Sequence, residues 1–225
     1  MRNWWKTKQP SQSSETLRLG LMLAFSGGFQ DAYTYNVRNE VFANAQTGNI
    51  VLLSQHLFTC QWGIALSYLL PVLTFACGVF LAENLRRYFL SHTRIHWRQS
   101  VLLLEILMLF IVGFLPHRMD SVASMLVSFA CALQVQSFRK IHGYGYASTM
   151  CIGNLRSGTE QLSGYMNTGS PEKLLAAFRY YAIICCFAIG AGIGALSSFS
   201  LGIPAIMICC PMLFFAYLFM KKELR

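Results

Sequence analysis

Charge is what this chain has least of. Only 12% of its 225 residues are Asp, Glu, Lys or Arg, about half the share found in soluble domains. Acid is scarcer than base, with nine Asp and Glu against eighteen Lys and Arg. Catalytic patterns are missing too. There is no Gly-x-Ser-x-Gly elbow, no His-Glu-x-x-His, no paired Asp inside an apolar run and no nucleotide motif. The chain therefore reads as a non-enzyme without a cofactor, and ATP-driven transport has no machinery here. The eight cysteines (60, 77, 131, 151, 185, 186, 209 and 210) form no Cys-x-x-Cys pair and no Cys/His cluster at metal spacing. They read as small buried hydrophobes. His92 and His96 stand four apart in a basic connector with no third ligand, so no metal site is expected. The first apolar run lacks a small-residue cleavage site and reads as a retained span rather than a signal peptide.

Hydrophobic residues are abundant, at 55%. Apolar runs near membrane-span length recur, the mark of a polytopic all-α membrane protein. The net charge of +9 invites a nucleic-acid reading, but the basic residues cluster between apolar runs. The positive-inside rule produces that pattern, so nucleic acid is not an expected partner and the lipid bilayer is. Residues 1–18 form a basic tail with Trp4 and Trp5. Spans are expected at about 19–35, 64–82, 100–115, 122–138, 180–199 and 201–220.

Two polar stretches interrupt this plan. One is Val41-Phe-Ala-Asn-Ala-Gln-Thr-Gly-Asn-Ile50; the other is Tyr146-Ala-Ser-Thr-Met-Cys-Ile-Gly-Asn-Leu155. A shift of 105 residues lays Gly48-Asn49 on Gly153-Asn154 without a gap, and Asn44 on Thr149. Phe75-Ala-Cys-Gly78 resembles Phe187-Ala-Ile-Gly190 at a shift of 112, with Met166–Lys173 read as a loop that absorbs the difference. The chain divides into a first repeat at 19–116 and a second at 117–225, in one membrane domain.

Charge chooses between two topologies. If the stretches at 41–59 and 146–165 dip in and return, there are six spans in a 3+3 inverted repeat. If they cross, there are eight spans, 4+4 and parallel. With a cytoplasmic N-terminus and re-entrant stretches, segments 1–18, 83–98, 139–142, 171–179 and 221–225 are cytoplasmic. They hold four, four, two, two and three Lys or Arg, fifteen of the eighteen. The eight-span alternative puts Arg86, Arg87, Arg94 and Arg98 outside, against the rule. Six spans are expected, with both termini cytoplasmic. Gly48 and Gly153 would mark deep turns, and a half-helix would start near Asn49 and Asn154. Asn caps helices well. Two helix N-termini meeting near the midplane would offer partial positive charge and free N–H groups to an anionic or polar solute.

Gly27-Gly-Phe-Gln-Asp31-Ala-Tyr33, the run Val41 to Asn49, Gln134-Val-Gln-Ser-Phe-Arg-Lys140 and Ser148 to Arg156 together resemble the YoaK-like family of small bacterial membrane proteins. The resemblance covers nearly the whole chain. It implies a multi-span protein of the bacterial cytoplasmic membrane and no particular activity. Ile152 stands where the first half has Thr47, so the halves are not chemically equivalent there.

The candidate pathway residues are Gln30, Asp31, Asn44, Gln46, Thr47, Gly48, Asn49, Gln134, Gln136, Thr149, Gly153, Asn154, Arg156 and Glu160. An acid inside a span is a functional candidate by default, though Asp31 could equally pair with Arg38 or Arg156. The glutamines could line a route or bond between helices. Arg156 and Glu160 have the spacing of an intrahelical ion pair. Glu105 reads as a structural partner of Arg94 or Arg98. The expected function is a channel or secondary transporter for a small polar solute, proton-linked through Asp31. The alternative is a scaffold or lipid-binding protein, with an intramembrane enzyme third. Small-residue faces such as Gly190–Gly194 permit contact within one chain or between copies in a homo-oligomer.

Overall fold

The structure, a computed structural model, describes residues 16–92, 97–141 and 144–222. The tail with Trp4 and Trp5, Arg94 and His96 lie outside the described residues, as does the side chain of His92. The helices are α1 (Leu17–Val37), α2 (Gln46–Phe58), α3 (Trp62–His92), α4 (Trp97–Val112), α5 (Asp120–Ser137), α6 (Cys151–Thr168), α7 (Pro171–Leu201) and α8 (Cys209–Lys222). Tighter 3₁₀ turns occupy His117–Met119 and Ile203–Ile208, and a two-residue ladder pairs Lys140–Ile141 with Tyr144–Gly145.

Local chemistry sets the helix ends. Thr16 Oγ1 accepts the Leu19 N–H at 3.4 Å and caps α1. Gly169 takes a left-handed φ of 65° and ends α6, and Pro171 opens α7, where its missing N–H costs nothing. The expected loop at Met166–Lys173 therefore contracts to Gly169 and Ser170. Pro71 sits inside α3, one of the two 31-residue helices.

Among the described residues, four helical segments are long and apolar enough to cross a membrane: Trp62–Arg87, His117–Ser137, Pro171–Leu201 and Ile203–Met220. Large apolar side chains such as Phe80, Leu196, Phe199 and Phe215 stand exposed on them, a pattern suited to lipid rather than water. Helix α4 is apolar but has only 16 residues. Helix α1 interrupts its apolar run with Ser26, Gln30, Asp31 and Thr34, all turned inward.

The packing partners come in matched sets. Helix α1 lies along α7, and α5 lies along α3; α2 rests on α3, and α6 on α7; α4 touches α5, and α8 touches α1. Helices α4 and α8 meet each other. Backbones approach closely in the first pair. A methyl group at Gly190 would strike the Phe25 carbonyl, and one at Gly28 the Phe187 carbonyl. Gly78 faces α5 in the same manner, with a methyl there lying 2.7 Å from Ala132 Cβ. Small residues buy membrane helices this close contact.

At one end of the bundle Arg38 is completely buried. Its guanidinium meets Asp120 Oδ1 at 2.7 Å and donates to the Leu115 and Val112 carbonyls, each at 2.9 Å. Its Nε donates to Tyr33 Oη at 3.0 Å, and Tyr33 in turn donates to the Ile203 carbonyl at 2.9 Å. Val112 is the last residue of α4 and Leu115 lies just beyond it, where carbonyls run out of intrahelical donors.

Candidate functional site

Helices α2 and α6 are each preceded by a lead-in segment, Val41–Ala45 before α2 and Tyr146–Met150 before α6. The helices start at Gln46 and Cys151, so Asn49 and Asn154 lie within the first turn rather than ahead of it. Neither is the cap, which falls at Ala45 and Met150. Each asparagine instead clamps the peptide seven residues back. Asn49 Oδ1 accepts the Phe42 N–H at 3.0 Å, and Nδ2 donates to the Phe42 carbonyl at 2.7 Å. Asn154 does the same with Ala147, at 3.4 and 2.7 Å. A carboxamide carries one donor face and one acceptor face, matching a peptide unit. Asp could not donate, and Gln would overreach.

Asp31 sits at the start of α2. Its Oδ1 accepts the Asn44 N–H at 2.6 Å, while the Ala43 N–H donates to Thr34 Oγ1 at 3.1 Å. It pairs with neither Arg38, which is committed to Asp120, nor Arg156, which is exposed on α6. A carboxylate at a helix N-terminus is favourably placed. The N–H groups expected to be free for a solute are thus partly taken by the protein itself.

The two lead-ins converge on Gly27 of α1. Asn44 Nδ2 donates to the Gly27 carbonyl at 3.1 Å. A methyl at Gly27 would collide with the Thr149 side chain and come within 3.8 Å of Asn44 Nδ2. Asn44 and Thr149 are the residues that the 105-residue shift superposes. Asp31 also lies within electrostatic reach of Cys151, the first residue of α6. Asn44 Oδ1 is buried there without a hydrogen-bond partner. A buried orphan acceptor costs about 1–3 kcal/mol.

A second polar centre lies beside it. Glu105 of α4 is completely buried and accepts from Gln30 Nε2 at 3.0 Å. Gln134 Nε2, in the orientation its neighbours require, donates to both Glu105 oxygens at 2.9 and 3.2 Å, while Gln134 Oε1 accepts from Ser148 Oγ at 2.8 Å. Gln30 also reaches Ser26 and Cys131. The expected pairing of Glu105 with Arg98 does not occur, because Arg98 Nε turns to the Ser137 carbonyl at 3.0 Å. Glu105 belongs to the site, and local spacing hid it.

The remaining candidates disperse. Gln136 bonds Glu83 at 2.7 Å, away from Asp31. Gln46 donates to the Ala43 carbonyl and accepts from Asn49. Gly48 packs against the Phe42 ring. Thr47, Gly153, Arg156 and Glu160 are exposed. Arg156 and Glu160 line an open groove with Thr159 and Ser163. A cavity of about 400 Å³ opens beside the second stretch, bordered by Arg139, Tyr146, Gly153, Asn154 and Ser157.

The chain is 28% identical over 202 residues to the UPF0700 transmembrane protein YoaK of Bacillus subtilis (strain 168), a match covering 83% of this chain and 88% of that protein. No solved structure matches the chain. With the apolar helices above, this similarity makes it a multi-pass membrane protein set in a lipid bilayer. Residues 19–219 match the family model described as "Protein of unknown function (DUF1275)", and the chain belongs to that family.

Proposed function

We propose that the protein is a channel or secondary transporter for a small polar solute, with its pathway between two inverted three-span repeats. The carrying observation is the convergence of both lead-ins on Gly27, beside the carboxyl of Asp31 and the unpartnered Asn44 Oδ1. The cavity at Asn154 and Ser157 is the mouth on one side. Asp31, with Glu105 behind it, supplies the proton-linked group.

Parity of crossings supports the six-span arrangement. Arg38, at the end of α1, bonds Leu115 and Asp120. Residues 38 and 115 thus share one end of the bundle, so an even number of crossings separates them. Helices α3 and α4 are those crossings, and α2 dips and returns. Likewise Tyr180 Oη bonds the Gly145 carbonyl at 2.7 Å across the whole of α6. The opposite end holds Arg86, Arg98 and Arg139, and the positive-inside rule makes that end cytoplasmic. On this reading the protein sits in a bacterial cytoplasmic membrane with both termini inside. The exposed Arg156 and Glu160 are self-complementary across a two-fold axis, which favours a homo-oligomer.

The test is flux into liposomes holding the pure full chain. Proton entry is followed with a trapped pH dye, and solute entry by swelling in urea and glycerol gradients. Flux above protein-free liposomes, reduced in Asp31→Asn and Asn44→Ala, is the expected result. No flux, or equal flux in both variants, removes these residues from any pathway. A non-transporting scaffold is the second reading, favoured by the complete use of the Asn49 and Asn154 amides on backbone. An intramembrane enzyme has the least support.

A further inference from the structure

We infer that the end of the bundle opposite Arg38 carries a binding site for a phosphate group, that of an anionic phospholipid headgroup or of free phosphate. Arg38 bonds the end of α4 and the start of α5; this site lies where α4 begins and α5 ends. A cavity of about 90 Å³ is lined by Arg86, Trp97, Arg98, Arg139 and Lys140, with Gln136 and Ser137 completing its wall. Among the described residues, four cations surround it and no carboxylate lines it. The nearest acid is already engaged. Glu83 accepts from Gln136 at 2.7 Å and pairs with Arg86 at 3.3 Å and Arg87 at 3.7 Å.

Cations gathered around so small a space repel one another, and Glu83, bonded to Arg86, offsets only part of that repulsion, so an anion among them is favoured. Positive-inside bias alone accounts for basic residues at this end, but not for their convergence from three elements onto one polar cavity. Arg98 is held in position by its Nε bond to the Ser137 carbonyl at 3.0 Å, with its guanidinium 5.9 Å from the Trp97 ring. A positioned guanidinium matches phosphate oxygens well. Trp97 belongs to the residue type that settles at headgroup depth, and basic pockets between membrane helices suit phosphate headgroups. The site stands whether or not a solute passes through the bundle.

The test uses the full chain in neutral detergent, titrated with short-chain phosphatidylglycerol, short-chain phosphatidylcholine or inorganic phosphate. The thermal unfolding midpoint and tryptophan fluorescence are the readouts. Phosphatidylglycerol is expected to raise the midpoint and phosphatidylcholine to leave it unchanged. The double variant Arg139→Gln/Lys140→Gln, at two exposed positions, is expected to bind about tenfold more weakly through loss of charge-assisted contacts. Arg86→Gln is the second variant should the double variant fold poorly. A response to phosphatidylglycerol alone identifies the headgroup as ligand, and an equal response to inorganic phosphate identifies the free ion. No response to either, or unchanged binding in the variants, overturns the site.

Discussion

Arg38 and Asp120 meet at 2.7 Å, 82 residues apart in the chain, with Arg38 fully buried and Asp120 nearly so. The pair ties the end of α1 to the start of α5, and through Leu115 and Val112 it also closes the last turn of α4. Asp120→Ala leaves a buried guanidinium without its counter-charge. That is expected to cost about 3–5 kcal/mol, seen as a large fall in the unfolding midpoint in detergent. An unchanged midpoint would mean that the pair does not hold the three helix ends together.

The clamps make a paired prediction. Asn49→Ala and Asn154→Ala each strand one half-buried peptide unit, at a cost of about 1 kcal/mol or more. Asn→Asp at either site is expected to be no better than Ala, because the donor half is lost. Thr47→Ala, at an exposed position two residues before Asn49, is expected to stay within about 0.5 kcal/mol of the parent. Similar midpoints for Asn49→Ala and Thr47→Ala would refute the clamp.

Two glycines two residues apart on α7 provide an internal control. Gly190 packs against the α1 backbone at Phe25, whereas nothing lies within 4 Å of a methyl built at Gly192. Gly190→Leu is expected to abolish the α1–α7 contact and the yield of folded protein. Gly192→Leu is expected to be tolerated, with a midpoint near that of the parent. Equal yields of the two variants on size-exclusion chromatography would contradict the packing.

Glu105 collects donors from Gln30 and Gln134. Glu105→Ala leaves the Gln134 amide without its acceptor and Gln30 Nε2 with Ser26 Oγ alone, and is expected to destabilise by about 1–3 kcal/mol. Glu105→Gln keeps an acceptor and is expected to lose less. If Glu105→Ala and Glu105→Gln unfold at the same temperature, the amides are satisfied by other groups.

The all-α membrane character was legible in the chain, because the length of an apolar run is a local signal. The offset that aligned Asn49 with Asn154 also aligns their clamped partners, Phe42 and Ala147. What stayed hidden depends on tertiary neighbours. Glu105 lies two helical turns from Arg98, so spacing suggested an ion pair; its real partners come from α1 and α5, 75 and 29 residues away. A carboxylate in the middle of an apolar run was the signal that could have flagged it. The cap expectation for Asn49 followed residue preference and located the feature, but missed the reach back to residue 42. Arg38 reads as a possible partner of Asp31, and nothing near it in sequence indicates Asp120.

Whether α2 and α6 turn back within the membrane is the question on which the pathway rests, and topology mapping answers it most directly. Single cysteines at Asn39, Gln61, Lys140 and Asn167, on a cysteine-free background in intact cells, are exposed to an impermeant thiol reagent. All four positions are exposed in the structure. The six-span arrangement predicts labelling at Asn39 and Gln61 and protection at Lys140 and Asn167. Labelling at Asn39 and Lys140, with Gln61 and Asn167 protected, would mean that both half-helices cross, and would contradict the inverted arrangement and the pathway drawn from it.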